Sequence, residues 1–487
     1  MKRVVLISVI VVLSVCAGLS VFAEGRPCWG TAISCDPAPV CDGFLVSFSD
    51  EEQALRLAQE NRITIARMTE TLYRVGSEED LSFLLSYGVV RFSEPNYSVE
   101  LFETETEVDP GSDAGGDWIR RILKTDLSTA WGLTGAGVRV AVIDSGADVL
   151  NPDLTCANIE PGYDYVEEST EMCDTLYHGT KILQLICADD NDLGVTGTAA
   201  GVSIVPLRCF APNKGGSVFM LSQAIRDAVD VYHCDIINMS WGLRVNSQVL
   251  EDAIRYAYSK GVLLVAAVGN VSSYNPQGTV FYPAAYDVVI GVSSFDPYLR
   301  GCSIAQRNAS VTVCAPGSEI PLIGQNGEGL IESGTSFSAP IVTAEIAVMK
   351  QLWPDMTAED LFSLIKTRAT DLGEEGFDTC YGYGYLPMDR FPGDHGSCVF
   401  RIKTEEEERY GLFSWLILPE GGKILSVCGD PSGKTEKVFA AGSDRPVLTL
   451  EREIPVSENG ASVSVFFTDP SFIPMHPKEM IEIHSLQ

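Results

Sequence analysis

Three short segments each place a reactive side chain at the end of a predicted element. Asp144 in VAVIDSGAD follows an apolar strand, His178 in YHGTKILQLI begins a helix, and Ser336 in SGTSFSAP begins another. A serine that attacks a carbonyl carbon needs a histidine to take its proton, and an aspartate to orient that histidine. Together the three residue types form a complete set for nucleophilic acyl transfer.

Each of these residues alone has an ordinary structural explanation. A serine near a helix start is most often a cap, because its oxygen accepts a free backbone N–H. An aspartate after a strand is often a cap as well. Asn270 ends the strand-like run VAAVGN, where its amide can donate to a developing oxyanion. The joint occurrence of all four favours catalysis over capping.

The pattern of elements from residue 118 onward explains how these side chains can meet. Short, continuously apolar runs alternate with helical stretches; the runs are VRVAVI, SIVPLRCF, DIINMS, VLLVAAVG and VVIGVSS. This pattern predicts an α/β fold with a parallel sheet covered on both faces. Functional side chains of such sheets gather outside the carboxyl ends of the strands, next to helix N-termini.

The order Asp144, His178, Asn270, Ser336, with the motifs DSG, HGT, AAVGN and GTSFSAP, resembles that of the subtilisin-like serine proteases. The resemblance covers about residues 118–393. It implies a serine endopeptidase with a parallel sheet sandwiched by helices. Ser336 is then the nucleophile, His178 the general base and acid, and Asp144 the orienting group. Asn270 and the Ser336 backbone N–H receive the oxyanion.

A departure after HGT keeps an alternative open. The chain has Lys181-Ile182-Leu183-Gln184 where relatives usually carry His-Val-Ala-Gly. The alternative is a catalytically dead subtilase fold that serves as a binding or scaffold protein. His178 itself disfavours a sedolisin-type enzyme with glutamate as base.

The resemblance also implies where a substrate binds. INMSWG would pair the backbone of Ser240, Trp241 and Gly242 with an extended peptide, and GGSV, which begins at Gly215, would form the opposite edge. Phe281 lies where the family often has a small residue lining the primary pocket. Its bulk predicts a shallow pocket for small side chains.

A structural calcium ion is implied by the same resemblance. Carboxylate, amide and carbonyl oxygens suit Ca²⁺. The expected ligands are the side chains of Asp153 and Asn191 and the carbonyl oxygens of Asp189, Leu193 and Val195. A solvated acidic turn is the other interpretation of the segment 189–195.

The N-terminal residues predict export. Lys2 and Arg3 precede a long apolar run, and Val21-Phe22-Ala23 offers a cleavage site, as in a secretory signal peptide. The unit at 42–102 resembles an inhibitor-type propeptide that the enzyme cleaves off itself, after Phe102. The predicted organisation is a signal peptide at 1–23, an α+β propeptide at 24–102, an acidic linker at 103–117, the catalytic domain at 118–393 and a β-rich C-terminal domain at 394–487.

The predicted signal peptide and the resemblance imply a secreted, bacterial protein, extracellular or at the cell surface. The net charge of -32 disfavours nucleic acid and anionic membranes as partners, which leaves polypeptide substrates and the protein's own propeptide. No second apolar run is long enough to span a bilayer. Fourteen cysteines suit an oxidising compartment. Cys156 with Cys173 and Cys302 with Cys314 are plausible disulfides, although sequence leaves the connectivity open.

Overall fold

The structure, a computed structural model, describes residues 40–102, 117–130, 133–191, 193–212 and 215–388. It also describes the backbone of the strands between residues 394 and 467. The predicted signal peptide and nearly all of the acidic linker lie outside the described residues.

Residues 40–102 form a small α+β unit, as the sequence predicts. Its helices pack against an antiparallel sheet ordered β4-β1-β3-β2 around the buried side chains of Val46, Tyr73 and Leu84. Asp50 begins the first helix by accepting the Gln53 N–H at 2.9 Å, a typical N-cap. The elements are β1 (Val40–Phe48), α1 (Glu51–Asn61), β2 (Ile65–Arg67), β3 (Leu72–Val75), α2 (Glu78–Ser86) and β4 (Val90–Leu101).

A parallel sheet is the centre of the molecule, in agreement with the predicted fold class. Its order is β14-β13-β12-β10-β5-β8-β6, with β7 also paired to β8. The strands are β5 (Arg139–Asp144), β6 (Asn158–Ile159), β7 (Tyr163–Asp164), β8 (Ser203–Arg208), β10 (Ile236–Met239), β12 (Leu263–Ala267), β13 (Ile290–Phe295) and β14 (Val313–Pro316).

Helices cover both faces of this sheet, which explains why its strands are apolar throughout. Val140 and Val142 of β5 join one hydrophobic core, whereas Ala141 and Ile143 join the other. Successive side chains of a strand point to opposite faces, so both faces must be apolar. The helices are α3 (Asp117–Leu123), α4 (Thr125–Ala130), α5 (His178–Cys187), α6 (Val218–Asp230), α7 (Gln248–Ser259), α8 (Thr335–Leu352) and α9 (Ala358–Arg368).

Short strands complete the fold. β9 (Gly216–Ser217) and β11 (Trp241–Gly242) both pair with β4, and β15 (Ile320–Ile323) forms a hairpin with β16 (Gly329–Glu332). The C-terminal region is an antiparallel sheet ordered β21-β20-β19-β18-β17-β22, as its β-rich pattern predicts. Its strands are β17 (Asp394–Lys403), β18 (Glu408–Ile417), β19 (Ile424–Gly429), β20 (Thr435–Ala440), β21 (Leu448–Leu450) and β22 (Ser462–Phe467). Within the described residues, no helix is both long and apolar enough to cross a bilayer.

The two disulfides suggested by the sequence are not formed: Cys156, Cys173, Cys302 and Cys314 are free thiols. In the second pair, Cys314 pairs with Ser293 on one side of β13, while the Cys302 N–H donates to the Ser294 carbonyl on the other side.

Candidate active site

Asp144 and His178 form a buried pair at the carboxyl end of β5. Asp144 is the last residue of this strand and His178 the first of α5, and both side chains are fully buried. His178 Nδ1 lies 2.7 Å from Asp144 Oδ1. The carboxylate also accepts the Ser145 N–H at 2.7 Å, which fixes its own orientation. A carboxylate at Nδ1 favours the tautomer that leaves Nε2 as the base.

Asp174, which the sequence reasoning missed, organises the start of α5. Its carboxylate accepts the Tyr177 N–H at 2.7 Å and both the N–H and the hydroxyl of Thr180, at 2.8 and 2.7 Å. It also accepts the Ser145 hydroxyl at 2.8 Å. These bonds satisfy free donors of the first helical turn, as a cap does. The sequence signal for this role was an aspartate placed three residues before Tyr177 and six before Thr180, next to the start of the predicted helix.

The glycine of HGT allows the helix to approach the DSG turn. A Cβ at Gly179 would lie only 2.3 Å from the carbonyl oxygen of Gly146, a distance that no side chain tolerates. The Gly179 N–H donates to Ser145 Oγ at 2.8 Å across the same contact. The two motifs are therefore in direct backbone contact, which places His178 beside Asp144.

Ser336 and Asn270 converge on one carbonyl oxygen, that of Phe102. Ser336 Oγ donates to it at 2.6 Å and Asn270 Nδ2 at 3.3 Å. Asn270 is aimed by Thr335, whose N–H and hydroxyl both donate to Asn270 Oδ1 at 3.0 Å. Sequence reasoning missed this role of Thr335. Its place directly before the serine was the available signal for this role.

The histidine lies next to the start of α8. The rings of His178 and Phe337, the residue after Ser336, have centroids 5.8 Å apart. Ser240 Oγ donates to the Ser336 carbonyl at 2.8 Å and thereby ties the end of β10 to this helix. Asp144, His178, Asn270 and Ser336 thus gather at the carboxyl ends of the central strands, where the sequence predicts them.

The end of β4 lies in an extended groove between β9 and β11. Leu101 pairs with Trp241 and Glu100 with Gly242 on one side, and Val99 pairs with Gly216 on the other. Trp241 and Gly242 therefore lie along an extended chain as predicted. Two expected residues differ. Ser240 contributes its hydroxyl to the Ser336 backbone instead of a strand pair, and Gly215 precedes β9, whose paired residues are Gly216 and Ser217.

The side chain of Phe102 packs beside Phe281, where the sequence predicts room for small side chains alone. The rings of Phe102 and Phe281 meet edge to face with centroids 4.8 Å apart. Gly269 leaves room for Phe281, because a Cβ there would lie 2.4 Å from the Phe281 ring. A Cβ at Gly242 would likewise lie 2.5 Å from the Phe102 ring. The two glycines create the space that the bulk of Phe281 was expected to fill.

The unit at 40–102 also caps two helices, a feature that sequence reasoning missed. Glu94 accepts the Ser247 hydroxyl at 2.6 Å and the N–H groups of Gln248 and Val249 at 3.0 and 3.2 Å, at the start of α7. Asn96 Oδ1 accepts the Phe219 N–H at 2.9 Å, at the start of α6. Negative charge and acceptor oxygens are favourable at helix N-termini. Strand β4 is therefore fastened at points outside the groove.

Asp153 is the expected metal ligand whose surroundings fit a cation best. It is fully buried, and neither carboxylate oxygen has a hydrogen-bond partner within the described part of the chain. Burial raises the pKa of its carboxyl group to about 7. The loop at 193–195 passes close by, since a Cβ at Gly194 would lie 2.9 Å from Asp153 Oδ2. An orphaned carboxylate beside a carbonyl-bearing loop suits Ca²⁺.

The other expected ligands are only partly arranged for a metal. Asn191 Oδ1 accepts the Leu193 N–H at 3.0 Å, and the Asp189 carboxylate accepts the Thr155 hydroxyl at 2.6 Å. The Asp189 N–H donates to the Asp153 carbonyl at 2.9 Å, so the loop that carries Asp189, Leu193 and Val195 is tied to Asp153. Among the residues described, no cluster of three or more His, Cys, Asp or Glu side chains could hold a metal ion.

Comparison with known proteins adds a family match. The model of the subtilase family, Peptidase_S8, matches residues 135–384, just over half of the 487 residues. Minor extracellular protease Epr from Bacillus subtilis is 36% identical over 262 residues, which are 53% of this chain and 39% of that protein. Subtilisin DY from Bacillus licheniformis is 30% identical over 268 residues, 55% of this chain and 95% of that protein.

The fold is similar to that of a solved subtilisin-related enzyme. Fervidolysin from Fervidobacterium pennivorans, described as a keratinolytic enzyme related to subtilisin, superposes with a TM-score of 0.63. The superposition covers 88% of this chain and 86% of that one at 17% sequence identity, so the likeness concerns the fold.

Proposed function

Because the chain belongs to the subtilase family, we infer that it is a serine endopeptidase, and we propose Ser336, His178 and Asp144 as its catalytic triad. The observation that carries the proposal is the carbonyl oxygen of Phe102. It accepts hydrogen bonds from Ser336 Oγ at 2.6 Å and from Asn270 Nδ2 at 3.3 Å. A substrate carbonyl needs both a nucleophile and an oxyanion donor at such a point.

The mechanism follows from these positions. Ser336 Oγ bonds to the substrate carbonyl carbon while its proton passes to His178 Nε2, and Asp144 stabilises the resulting imidazolium. The oxyanion receives hydrogen bonds from Asn270 Nδ2 and the Ser336 N–H. The leaving amine takes the proton from His178 as the C–N bond breaks. Water, deprotonated by His178, then hydrolyses the acyl ester and restores the serine.

We further propose that residues 24–102 are a propeptide that the enzyme cleaves after Phe102. In support, β4 occupies the groove as the central strand between β9 and β11, and Phe102, the residue that follows it, presents its carbonyl to Ser336. The contacts of Glu94 and Asn96 with α7 and α6 would hold the fragment in place after cleavage. Residues 1–23 would direct the precursor out of the cell, which makes the mature enzyme a secreted one.

Polypeptides are the substrates, bound in extended form through the backbone of β9 and β11. The proposed primary pocket lies between Gly242 and Phe281 and is large enough for an aromatic side chain, because the Phe102 ring fits there. The net charge of -32 argues against nucleic acid as a partner.

Calcium is proposed as a structural ion at Asp153. The Asp153 carboxylate, with carbonyl oxygens of the loop at 189–195 and the Asn191 side chain, would hold it. The ion would supply the positive charge that the buried carboxylate lacks among the described residues. These residues would then tie the loop after α5 to the segment after β5, and so support both His178 and Asp144.

Intact-mass analysis of residues 24–487 over time tests the proposal, with Ser336→Ala beside it. We expect only the wild type to lose a fragment ending at Phe102 and to react with a fluorophosphonate at Ser336. Ser338→Ala is the matched control, because Ser338 lies on the same helix and its hydroxyl bonds to the Ala315 and Pro316 carbonyls instead. If the wild type is neither cleaved nor labelled, the chain is a catalytically inactive scaffold.

A further inference from the structure

A buried ion pair connects the two segments that carry His178 and Ser336. Lys181 Nζ lies 2.5 Å from Glu332 Oε1, and the two side chains are only 15% and 8% exposed. Lys181 follows His178 by three residues on α5, and Glu332 ends β16, four residues before Ser336. The contact therefore bridges the helix of the proposed base and the strand that leads to the proposed nucleophile.

The pair lies close enough to His178 to act on its charge. Residues three apart on a helix are neighbours on one face, about 5–6 Å apart at Cβ. The mechanism creates a positive imidazolium at His178 and then returns its proton to the leaving amine. A neighbouring positive charge makes that imidazolium less stable, and a negative charge makes it more stable.

Other ionisable groups lie around α5, and their charges also act on His178. The hairpin strand β15, which packs on α5, carries none, and burial raises the pKa of Glu345 on α8 well above its usual range, which favours the neutral form of this carboxyl. Charged groups approach α5 from several elements: Asp144 from β5, Asp148 and Asp174 from the loops that contact its first turn, Arg208 from β8, Asp153 near its other end, and Lys181 and Glu332 themselves. Lys181 and Glu332 carry opposite charges and cancel.

We propose that Lys181 and Glu332 are a positioning pair for the catalytic residues. Together they hold α5 against the end of β16 and add no net charge beside His178, so that neither of their charges offsets the effect of Asp144 on the imidazolium. The inference rests on the proposed function, because it assigns the pair a role in the reaction of Ser336. Removal of either partner leaves an uncompensated charge in a buried place, which is costly.

The test is the pH dependence of fluorophosphonate labelling at Ser336, which requires His178 as a base. It is measured on the processed form of each variant, with wild-type enzyme added where a variant does not cleave its own propeptide. Glu332→Gln leaves the lysine charge alone and should move the midpoint of the acid limb down. Lys181→Met leaves the carboxylate alone and should move it up. Each shift should be about 0.3–1 pH unit.

Two double variants separate charge from packing. Lys181→Met with Glu332→Leu removes both charges and should restore the wild-type midpoint. Lys181→Glu with Glu332→Lys keeps an ion pair but places the negative end on α5, and should move the midpoint up. If the ion pair only stabilises the packing of α5 against β16, all four variants should be labelled more slowly but with the wild-type midpoint. That result overturns the proposal.

Loss of folding in a single variant is itself what a buried unpaired charge predicts, and thermal unfolding of each protein detects it. The charge-reversed variant then decides: a midpoint moved up supports the proposal, and an unmoved one overturns it. If the wild type itself is not labelled at any pH, the proposed function fails. If it is labelled normally but no midpoint moves, only the role of this pair fails.

Discussion

Phe102 and Ser336 are 234 residues apart in the chain, yet Ser336 Oγ donates to the Phe102 carbonyl oxygen at 2.6 Å. The contact occurs because β4 crosses the mouth of the parallel sheet between β9 and β11. It joins the last residue of the small N-terminal unit to the first turn of α8. This contact identifies the Phe102 carbonyl as the point of the proposed self-cleavage. It also shows in which direction a chain in the proposed substrate groove runs toward Ser336.

The aromatic pocket predicts that self-cleavage depends on the side chain at 102. Phe102→Asp should slow release of the N-terminal fragment by at least about tenfold, because a carboxylate would be desolvated against the Phe281 ring. Phe102→Tyr retains an aromatic ring and serves as the control. Intact mass against time measures both. Equal rates for all three proteins would show that the pocket does not select this residue.

Thr335 is expected to act through Asn270. Its N–H and hydroxyl donate to Asn270 Oδ1, so Thr335→Val removes one of the two bonds that aim Nδ2. We expect kcat to fall by about 10- to 100-fold with little change in KM, because the lost orientation matters most for the oxyanion. Thr335→Ser retains the hydroxyl and should keep most activity. A rise in KM at constant kcat would contradict this role.

Glu94 should govern how long the cleaved propeptide stays bound. Glu94→Ala removes the acceptor for Gln248 N–H, Val249 N–H and the Ser247 hydroxyl at the start of α7. Each bond to a charged acceptor contributes about 1.5–3 kcal/mol. After self-cleavage, the N-terminal fragment should therefore no longer co-elute with the rest of the chain in gel filtration. Exposed Glu79 on α2 provides the control, Glu79→Ala, which should co-elute as the wild type does.

Glu345 predicts a stability that declines as pH rises. Its pKa is raised well above the usual value because the carboxyl is fully buried, and its oxygens have no partner within the described residues. Above the unfolded-state pKa of about 4.3, the unfolded chain ionises this group while the folded chain keeps it protonated. The contribution of Glu345 to the free energy of unfolding is therefore fully present below that pH. As the pH rises, it decreases by about 1.4 kcal/mol per pH unit until the folded-state pKa is reached.

Glu345→Gln should remove this slope. Compared with the wild type, the variant should gain stability at pH 8 and show a smaller difference at pH 5, as measured by denaturant unfolding. Glu359→Gln, at an exposed position on α9, should leave the pH dependence unchanged. Parallel curves for wild type and Glu345→Gln would mean that the carboxylate is ionised in the folded protein.

Calcium removal tests the proposed ion at Asp153. A chelator should lower the wild-type Tm by several degrees, because an ion that binds only the folded state stabilises it. Asp153→Ala should abolish the difference between calcium and chelator. Asp355→Ala, at an exposed position before α9, should retain it. A wild-type Tm that is insensitive to both additions would leave the segment 189–195 as an acidic turn.

The sequence alone was sufficient to predict the fold class and to propose the four residues of the site. Short apolar strands interspersed with helices have few arrangements besides a parallel sheet with two covered faces. Asp144 follows such a strand directly, and His178 and Ser336 begin helices, so their meeting place depends only on local pattern and on the direction of the sheet. Such signals lie within short segments of the sequence, so they can be recognised without a structure.

Only the tertiary structure decided what lies between segments distant in the chain. Phe281 borders a pocket instead of filling it because Gly269 gives its ring room. Cys302 and Cys314 are free thiols, although their spacing in sequence is short. Such outcomes depend on side-chain direction and on contacts across the sheet, which composition and periodicity do not encode residue by residue.

Lys181 and Glu332 show the same division. A lysine on an apolar helix and a glutamate at the end of a strand each read as an isolated departure from the pattern. Their shared, buried position becomes apparent only when α5 and β16 lie side by side. The sequence determined the chemistry that these elements carry, and the packing of the elements determined which charges neutralise each other, because burial makes an unpaired charge costly.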